Sequence, residues 1–292
     1  VIVTTSVYWR NSWKSQARAY RHAYWDSGTI LANLLAVGAA NQVPLKVVTA
    51  FVDRTVNRLL DLDDQREVAL QLVPVGLNFG GIIPPPPEVI PLELEVAAYS
   101  SREVDYPAMN EMHTASSVHS ASEVRELWGN PPKIQDPKLL DNLFPLEPAH
   151  ETELPTDPIE AVILRRGSSR RFRRAPITRR QLSNILDQAS RNIPADFLQG
   201  PGDIPRTGSI QALTELYLIV QDVEGLPSGS YVYQQERAVL EQLKLGDFRE
   251  RAGYLGLQQA LASDACVGAF FLTDLAAVLE RYGNRGYRMA QL

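Results

Sequence analysis

Apolar side chains recur at helical spacing through residues 14–35, where Tyr20, Ala23, Tyr24, Ile30, Leu31, Leu34 and Leu35 fall nearly all the way round. A helix apolar on every side has to be surrounded, so this segment is predicted to be a central helix. Residues 2–5 read as a short strand, and residues 45–51 and 69–75 are β-branched apolar runs that predict two more, the last closed by Gly76. A helix is predicted over 54–60, between them.

The pattern then lapses. Gly80 and Gly81, a proline run over 84–87, and a stretch rich in Pro, Ser and acids to residue 157 carry no sustained periodicity. A loop of that length is uncommon inside one compact domain, so residues 81–157 read as a connecting or dimerisation arm with short helices such as 122–128. Periodicity resumes at 158: a helix over 159–164 enters an arginine-rich turn, and Thr178 with Gln181 has the spacing of a capping box opening a helix to 189. Residues 215–220 and 230–233 predict a hairpin about the turn at 225–229, followed by a helix over 247–261, a buried strand over 267–272 and a further helix from 274. The class is α+β, divided at about residues 1–80, 81–157 and 158–292.

Charge narrows the partners. With 29 basic and 34 acidic side chains the net charge is −5, so no general attraction to nucleic acid or anionic lipid is expected. No apolar run reaches the ~18 residues of a membrane span. Cys266, the one cysteine, sits in an apolar run and reads as core, and it excludes an internal disulfide. A cytoplasmic location is the expectation. The four histidines show no metal-ligand spacing, so no metal is expected. The first residue lies in an apolar run and the last in a helical one, so neither end is expected to be natural.

Comparison of the chain with itself pairs Arg18-Ala-Tyr-Arg-His-Ala23 with Arg285-Gly-Tyr-Arg-Met-Ala290, four identities in six at an offset of 267 residues. The same register pairs Lys14 with Arg281 and the strand 2–5 with 269–272. So long a period implies duplicated domains, not a solenoid. On this reading the chain carries the rear half of a first copy and the front half of a second.

The strongest local chemical signal is Arg165-Arg-Gly-Ser-Ser-Arg-Arg-Phe-Arg-Arg174, with no acid between Glu160 and Asp187. Guanidinium forks and a serine hydroxyl at alternate positions suit one phosphate. The same run also fits a solvated basic surface or a small nucleic-acid patch, and the residues alone leave the three readings open. Phosphate-binding loops of the Walker or dinucleotide kind are absent, and the only approach to a hydrolase elbow, Gly225-Leu-Pro-Ser-Gly229, has its serine displaced.

Arg166-Gly-Ser168-Ser-Arg170-Arg-Phe172 resembles the opening R-x-S-x-R-x-F motif of the FMN-dependent nitroreductases. Residues 176–182, 215–220, 225–233 and 281–288 follow in the order seen in SagB-type dehydrogenases, and residues 18–21, 28–33, 51–53, 59–63 and 73–76 resemble the matching rear half. The resemblance implies a nitroreductase-like fold with a central sheet flanked by helices, present here as parts of two tandem copies. It implies FMN as cofactor, NAD(P)H as electron donor, and a small-molecule or peptide substrate. It also implies a flavin site between two subunits, supplied by an intrachain pseudo-dimer or a homodimer.

By the same resemblance Arg166, Ser168 and Arg170 hold the flavin phosphate, Gly208 and Ser209 stand where the family has a P-S-G-G turn, and Pro74, Val75 and Gly76 lie beside the ring. Azoline-oxidising members carry a Lys-Tyr pair ahead of the R-x-Y-R motif. Here the first copy has Lys14-Ser15 and the second Arg281-Tyr282, so Lys14 and Tyr282 are the catalytic candidates, each without its neighbour. Arginine stays protonated and makes a poor base. The function expected is hydride transfer between FMN and a substrate; a degenerate tandem scaffold or peptide-binding module is the alternative.

Overall fold

A computed structural model of the chain describes residues 1–76, 88–95, 97, 100–128, 142–191, 193–198 and 213–292. In chain order the main elements are β1 (Ile2–Ser6), α1 (Ser12–Ser15), α2 (Ala19–Ala40), α3 (Asp53–Leu59), β2 (Val68–Val73), α4 (Pro107–Ala115), α5 (Ala121–Trp128) and β3 (Leu143–Pro145). They continue with α6 (Ile159–Arg165), α7 (Arg179–Ala189), β4 (Glu215–Val220), β5 (Gly229–Gln234), β6 (Val239–Leu245), α8 (Arg249–Leu255), α9 (Ala260–Asp264), β7 (Val267–Leu272), α10 (Leu275–Tyr282) and α11 (Arg285–Gln291). Two compact units are interleaved along the chain: Val1–Lys133 with Ile193–Leu213 and Asp274–Leu292, and Ile134–Asn192 with Thr214–Thr273.

The first unit is organised by α2. Its buried positions meet two clusters, Tyr20 and Tyr24 packing with Tyr8, Trp9, Val68, Leu70 and Met109, and Leu31 with Val47, Val73 and Ala195, while Trp25, Ile30 and Val37 stay exposed. Emptying such a position, as in Leu31→Ala, costs about 2–5 kcal/mol. Beside the helix, β1 pairs antiparallel with β2 from Ile2↔Val73 to Ser6↔Val68, with a bulge at Thr4/Thr5. The predicted strand 45–51 is instead a set of single bridges. Leu45 and Val48 bridge antiparallel to Val75 and Leu72, while Val47 bridges parallel to Ala195. Its hydrogen bonds are shared between two neighbours, Val47 N to Pro194 O and Val48 N to Leu72 O, so neither side becomes a full ladder.

In the second unit an antiparallel sheet runs in the order β3-β6-β5-β4-β7. Its core joins Leu218, Val220, Tyr231, Tyr233 and Leu240 to Leu182 and Leu186 of α7, one turn apart on the helix. The capping box is present: Gln181 N donates to Thr178 Oγ1 at 3.1 Å, and Thr178 N donates to Gln181 Oε1 at 2.9 Å. The hairpin β4-β5 forms as expected, from Leu216↔Tyr233 to Val220↔Gly229. The single helix expected over 247–261 is two, α8 and α9, separated by Leu257 and Gln258 at φ 60° and 59°.

One expectation about the arm is corrected. Part of residues 81–157 is core of the first unit, because Met109 and Met112 of α4 and Tyr106 before it pack on the Tyr8 and Tyr20 cluster, and Val118 is buried. Three or four apolar positions at helical spacing sufficed, within a composition that otherwise reads as linker.

The repeated sequence has a repeated backbone. Gln16, between α1 and α2, has φ 52° and ψ −141°; Gly283, between α10 and α11, has φ 56° and ψ −156°. They stand 267 residues apart, the offset of the sequence repeat. The two equivalent tyrosines, Tyr20 and Tyr287, stack on each other with ring centroids 6.4 Å apart and planes 18° apart. Trp25 Nε1 donates to Gln291 Oε1 at 2.9 Å, further along the same pair of helices.

Candidate functional site

At the centre of the first unit two guanidinium groups share one carboxylate. Residues 285 and 288 lie three apart on α11, hence on one face, and Asp53 opens α3. Arg285 Nη1 donates to Asp53 Oδ1 and Oδ2 at 3.0 and 2.9 Å, Arg288 Nη1 to Oδ1 at 2.6 Å, and Val118 N to Oδ2 at 2.8 Å. All three side chains are no more than 5% exposed. The remaining donors are used too: Arg285 Nε and Nη2 reach Thr49 O, and Arg288 reaches Ser116 Oγ, Ser117 Oγ, His113 O and His113 Nδ1. Phe51 lies under the Arg285 guanidinium, 4.8 Å from it.

Burial opposes ionisation of Asp53, but Arg285 and Arg288 outweigh it and hold the carboxyl below the usual carboxylate range. Burial, reinforced by Arg288, pushes His113 down to about 3, so the imidazole is neutral and accepts from Arg288 through Nδ1. Segment 49–53 is held from its other side by Asp196, whose carboxylate accepts from Thr49 N, Thr49 Oγ1 and Ala50 N at 2.8, 2.9 and 2.8 Å. With its donors and acceptors engaged, this cluster is a clamp that fixes backbone, not a place where a substrate reacts.

The arginine turn is the opposite case. Residues 165–174 are exposed throughout, following α6 in the second unit. Its ends are pinned, Arg165 to Asp157 at 3.1 Å and Arg174 to Asp264 at 2.7 Å. Between them Arg166, Arg170, Arg171 and Arg173 make no ion pair among the described residues, and a Cβ at Gly167 would meet nothing within 4 Å. Arg166, Ser168 and Arg170 thus share one open turn whose donors remain available to an anion.

The other expected residues are dispersed. Pro74, Val75 and Gly76 follow β2 in the first unit, where Gly76, at φ +93°, donates to Pro44 O at 2.9 Å. Gly208 and Ser209 lie outside the described residues. Lys14 is exposed on α1. Tyr282 is buried at the end of α10; its hydroxyl donates to Phe197 O at 2.9 Å, and burial raises its pKa above the ordinary phenol value. That phenol is occupied as a structural donor and disfavoured as a base. A cavity of about 100 Å³ between β1 and α2, lined by Thr4, Asn11, Asp26 and Ser27, has room for a few waters but not for a flavin ring.

Sequence reading passed over Asp53 as a partner of the R-x-Y-R arginines, weighed His113 only as a metal ligand, and did not single out Asp196. The available signal was chemical: two arginines one turn apart in an aromatic and small-residue context need a buried acid, and Phe51-Val-Asp53 was the candidate with an aromatic beside it. Among the described residues no group of three or more His, Cys, Asp or Glu is placed to hold a metal, and no helix is long and apolar enough to cross a membrane.

No family model matches the sequence. Over 134 residues the chain is 27% identical to a provisionally named nitroreductase of Methanocaldococcus jannaschii, a match covering 46% of this chain and 66% of that protein. Its fold matches the crystal structure of a provisionally named nitroreductase from Anabaena variabilis with a TM-score of 0.69 and 24% identity, over 99% of this chain and 58% of that one. The chain therefore spans under two thirds of the length of either protein. The structural likeness shows a nitroreductase-like α+β fold, and the sequence match supports a relation to nitroreductases.

Proposed function

We propose that the chain is part of an FMN-dependent oxidoreductase of the SagB-type branch of the nitroreductases, built as tandem copies that form an intrachain pseudo-dimer. The observation that carries the flavin assignment is the open turn. In a chain of net charge −5, Arg166 and Arg170 stay exposed and unpaired among the described residues while the arginines at either end of the run are pinned to acids. Guanidinium forks with the Ser168 hydroxyl between them fit the phosphate of FMN. When bound, FMN would supply hydride chemistry between a nicotinamide donor and a small-molecule or peptide acceptor. Arg166 and Arg170 would neutralise the phosphate and Ser168 would donate to it. The cytoplasm, where NAD(P)H is supplied, is the location that suits this chemistry.

The tandem reading draws support from the shared backbone break at Gln16 and Gly283 and from the Tyr20–Tyr287 stack. The test is flavin released per chain from purified protein, beside the Arg166→Ala/Arg170→Ala double variant. Retained FMN in the wild type and its loss from the variant is the expected result; equal flavin in both would remove the phosphate assignment. A second reading, a fold kept without electron transfer, is favoured by the engaged Tyr282 hydroxyl, and protein that holds no flavin would select it.

A further inference from the structure

The two R-x-Y-R segments have the same sequence register and the same preceding backbone, yet opposite fates. Arg285 and Arg288 are buried against Asp53, with Phe51 stacked beneath Arg285. Their counterparts Arg18 and Arg21 make no ion pair among the described residues. Arg18 is exposed, and Arg21 is half-buried, its guanidinium 5.9 Å from the Trp25 ring centroid and its Nε shut from solvent without a hydrogen-bond partner. Arg10, Trp13 and Lys14, which precede α2 in the chain, are exposed as well. A buried donor without an acceptor is disfavoured, and an exposed indole beside unpaired guanidiniums is an incomplete version of the arrangement around Asp53.

We propose that the Arg18–Arg21 face of α2 docks an aromatic-x-acid segment of a partner protein, the counterpart of Phe51-Val-Asp53. The proposal rests on the tandem reading. The acid would accept from the exposed Arg18 fork and the outer nitrogens of Arg21, and the aromatic ring would lie against a guanidinium as Phe51 does against Arg285. The same residue types on the same backbone present the same recognition chemistry, and the sign of the charge selects an acidic partner.

The probe is a fluorescein-labelled peptide of residues 47–60, which carries Phe51 and Asp53, titrated with the full chain and followed by anisotropy. Expected is saturable binding that weakens at least tenfold, on the order of the loss of one charge-assisted pair, with Arg18→Ala/Arg21→Ala in the chain, and equally with Asp53→Asn in the peptide. Matched circular dichroism guards against misfolding of the variant, and Arg21→Lys should recover part of the affinity. No saturation up to millimolar protein, or binding that ignores both substitutions, overturns the proposal. Flavin counted on the same preparation separates the two readings: flavin retained without peptide binding ends the docking proposal alone, and the loss of both ends the tandem reading with it.

Discussion

Asp53→Asn is the sharpest perturbation of the buried clamp. The carboxylate accepts three hydrogen bonds from two guanidiniums and one from Val118 N, and its side chain is 5% exposed. Asparagine keeps one acceptor oxygen but turns an NH2 group towards donors, and it leaves two positive charges facing each other out of water. Removing one member of a buried ion pair costs about 3–5 kcal/mol, largely the penalty of the charge left behind. For a protein of this size each kcal/mol lowers Tm by roughly 2–4 °C, so the drop should be about 6–20 °C. Urea denaturation followed by near-UV circular dichroism would report it as a lower midpoint at unchanged slope. Replacing all three charged residues by apolar ones should recover much of the loss, because no uncompensated charge then remains. An Asp53→Asn protein within about 0.5 kcal/mol of wild type, the range of ordinary surface substitutions, would refute the clamp.

The same cluster sets an acid limit. His113 is held near 3 in the fold against 6.5 when free, so below 6.5 the unfolded chain binds a proton that the folded one refuses, and stability falls as pH drops through that window. At 1.36 kcal/mol per unit the loss by pH 5 is about 2 kcal/mol; His113→Leu should flatten urea midpoints measured between pH 7 and 5, and an unchanged slope with pH would count against the assignment. Asp53 acts in the same direction lower down, contributing fully above about 4 and losing its contribution as acid protonates it. Gln16 holds a left-handed conformation suited to glycine, so Gln16→Gly should stabilise by about 0.5–2 kcal/mol, the strain relieved less glycine's entropy. Gly283→Ala should cost about 1–3 kcal/mol although a Cβ there meets nothing within 4 Å; a neutral result in thermal melts would show that backbone conformation does not govern this break.

Local signals were legible where one physical rule acted alone. The capping box at Thr178 and Gln181, the hairpin β4-β5 and the helix α2 each follow from a short-range pattern, although α2 is not surrounded, since Trp25, Ile30 and Val37 are exposed. Strand β6 was missed because its pattern is inverted: Glu241 and Gln242 are buried and adjacent, next to a bulge at Ser230/Tyr231, while Leu243 and Leu245 face solvent. Alternation cannot reveal a strand whose polar residues point inward. The Arg–Asp clamp was hidden for a different reason, since its partners stand 232 and 235 residues apart and only the folded chain brings them together. The arginine turn, being local and exposed, could be read from the residues directly.

That separation also orders events during synthesis. At roughly 5–20 residues per second a ribosome needs about 10–50 s to travel from Asp53 to Arg285. Over that interval the 49–53 segment has no counter-charge and gains its Asp196 support only past the midpoint, whereas residues 134–192 and 214–273, complete before α10 is made, have their own core to close. The first unit is thus begun early and finished last. A pause or premature stop before Arg285 and Arg288 are made would leave the Asp53 carboxylate and the aromatic surface around it open to the quality-control machinery.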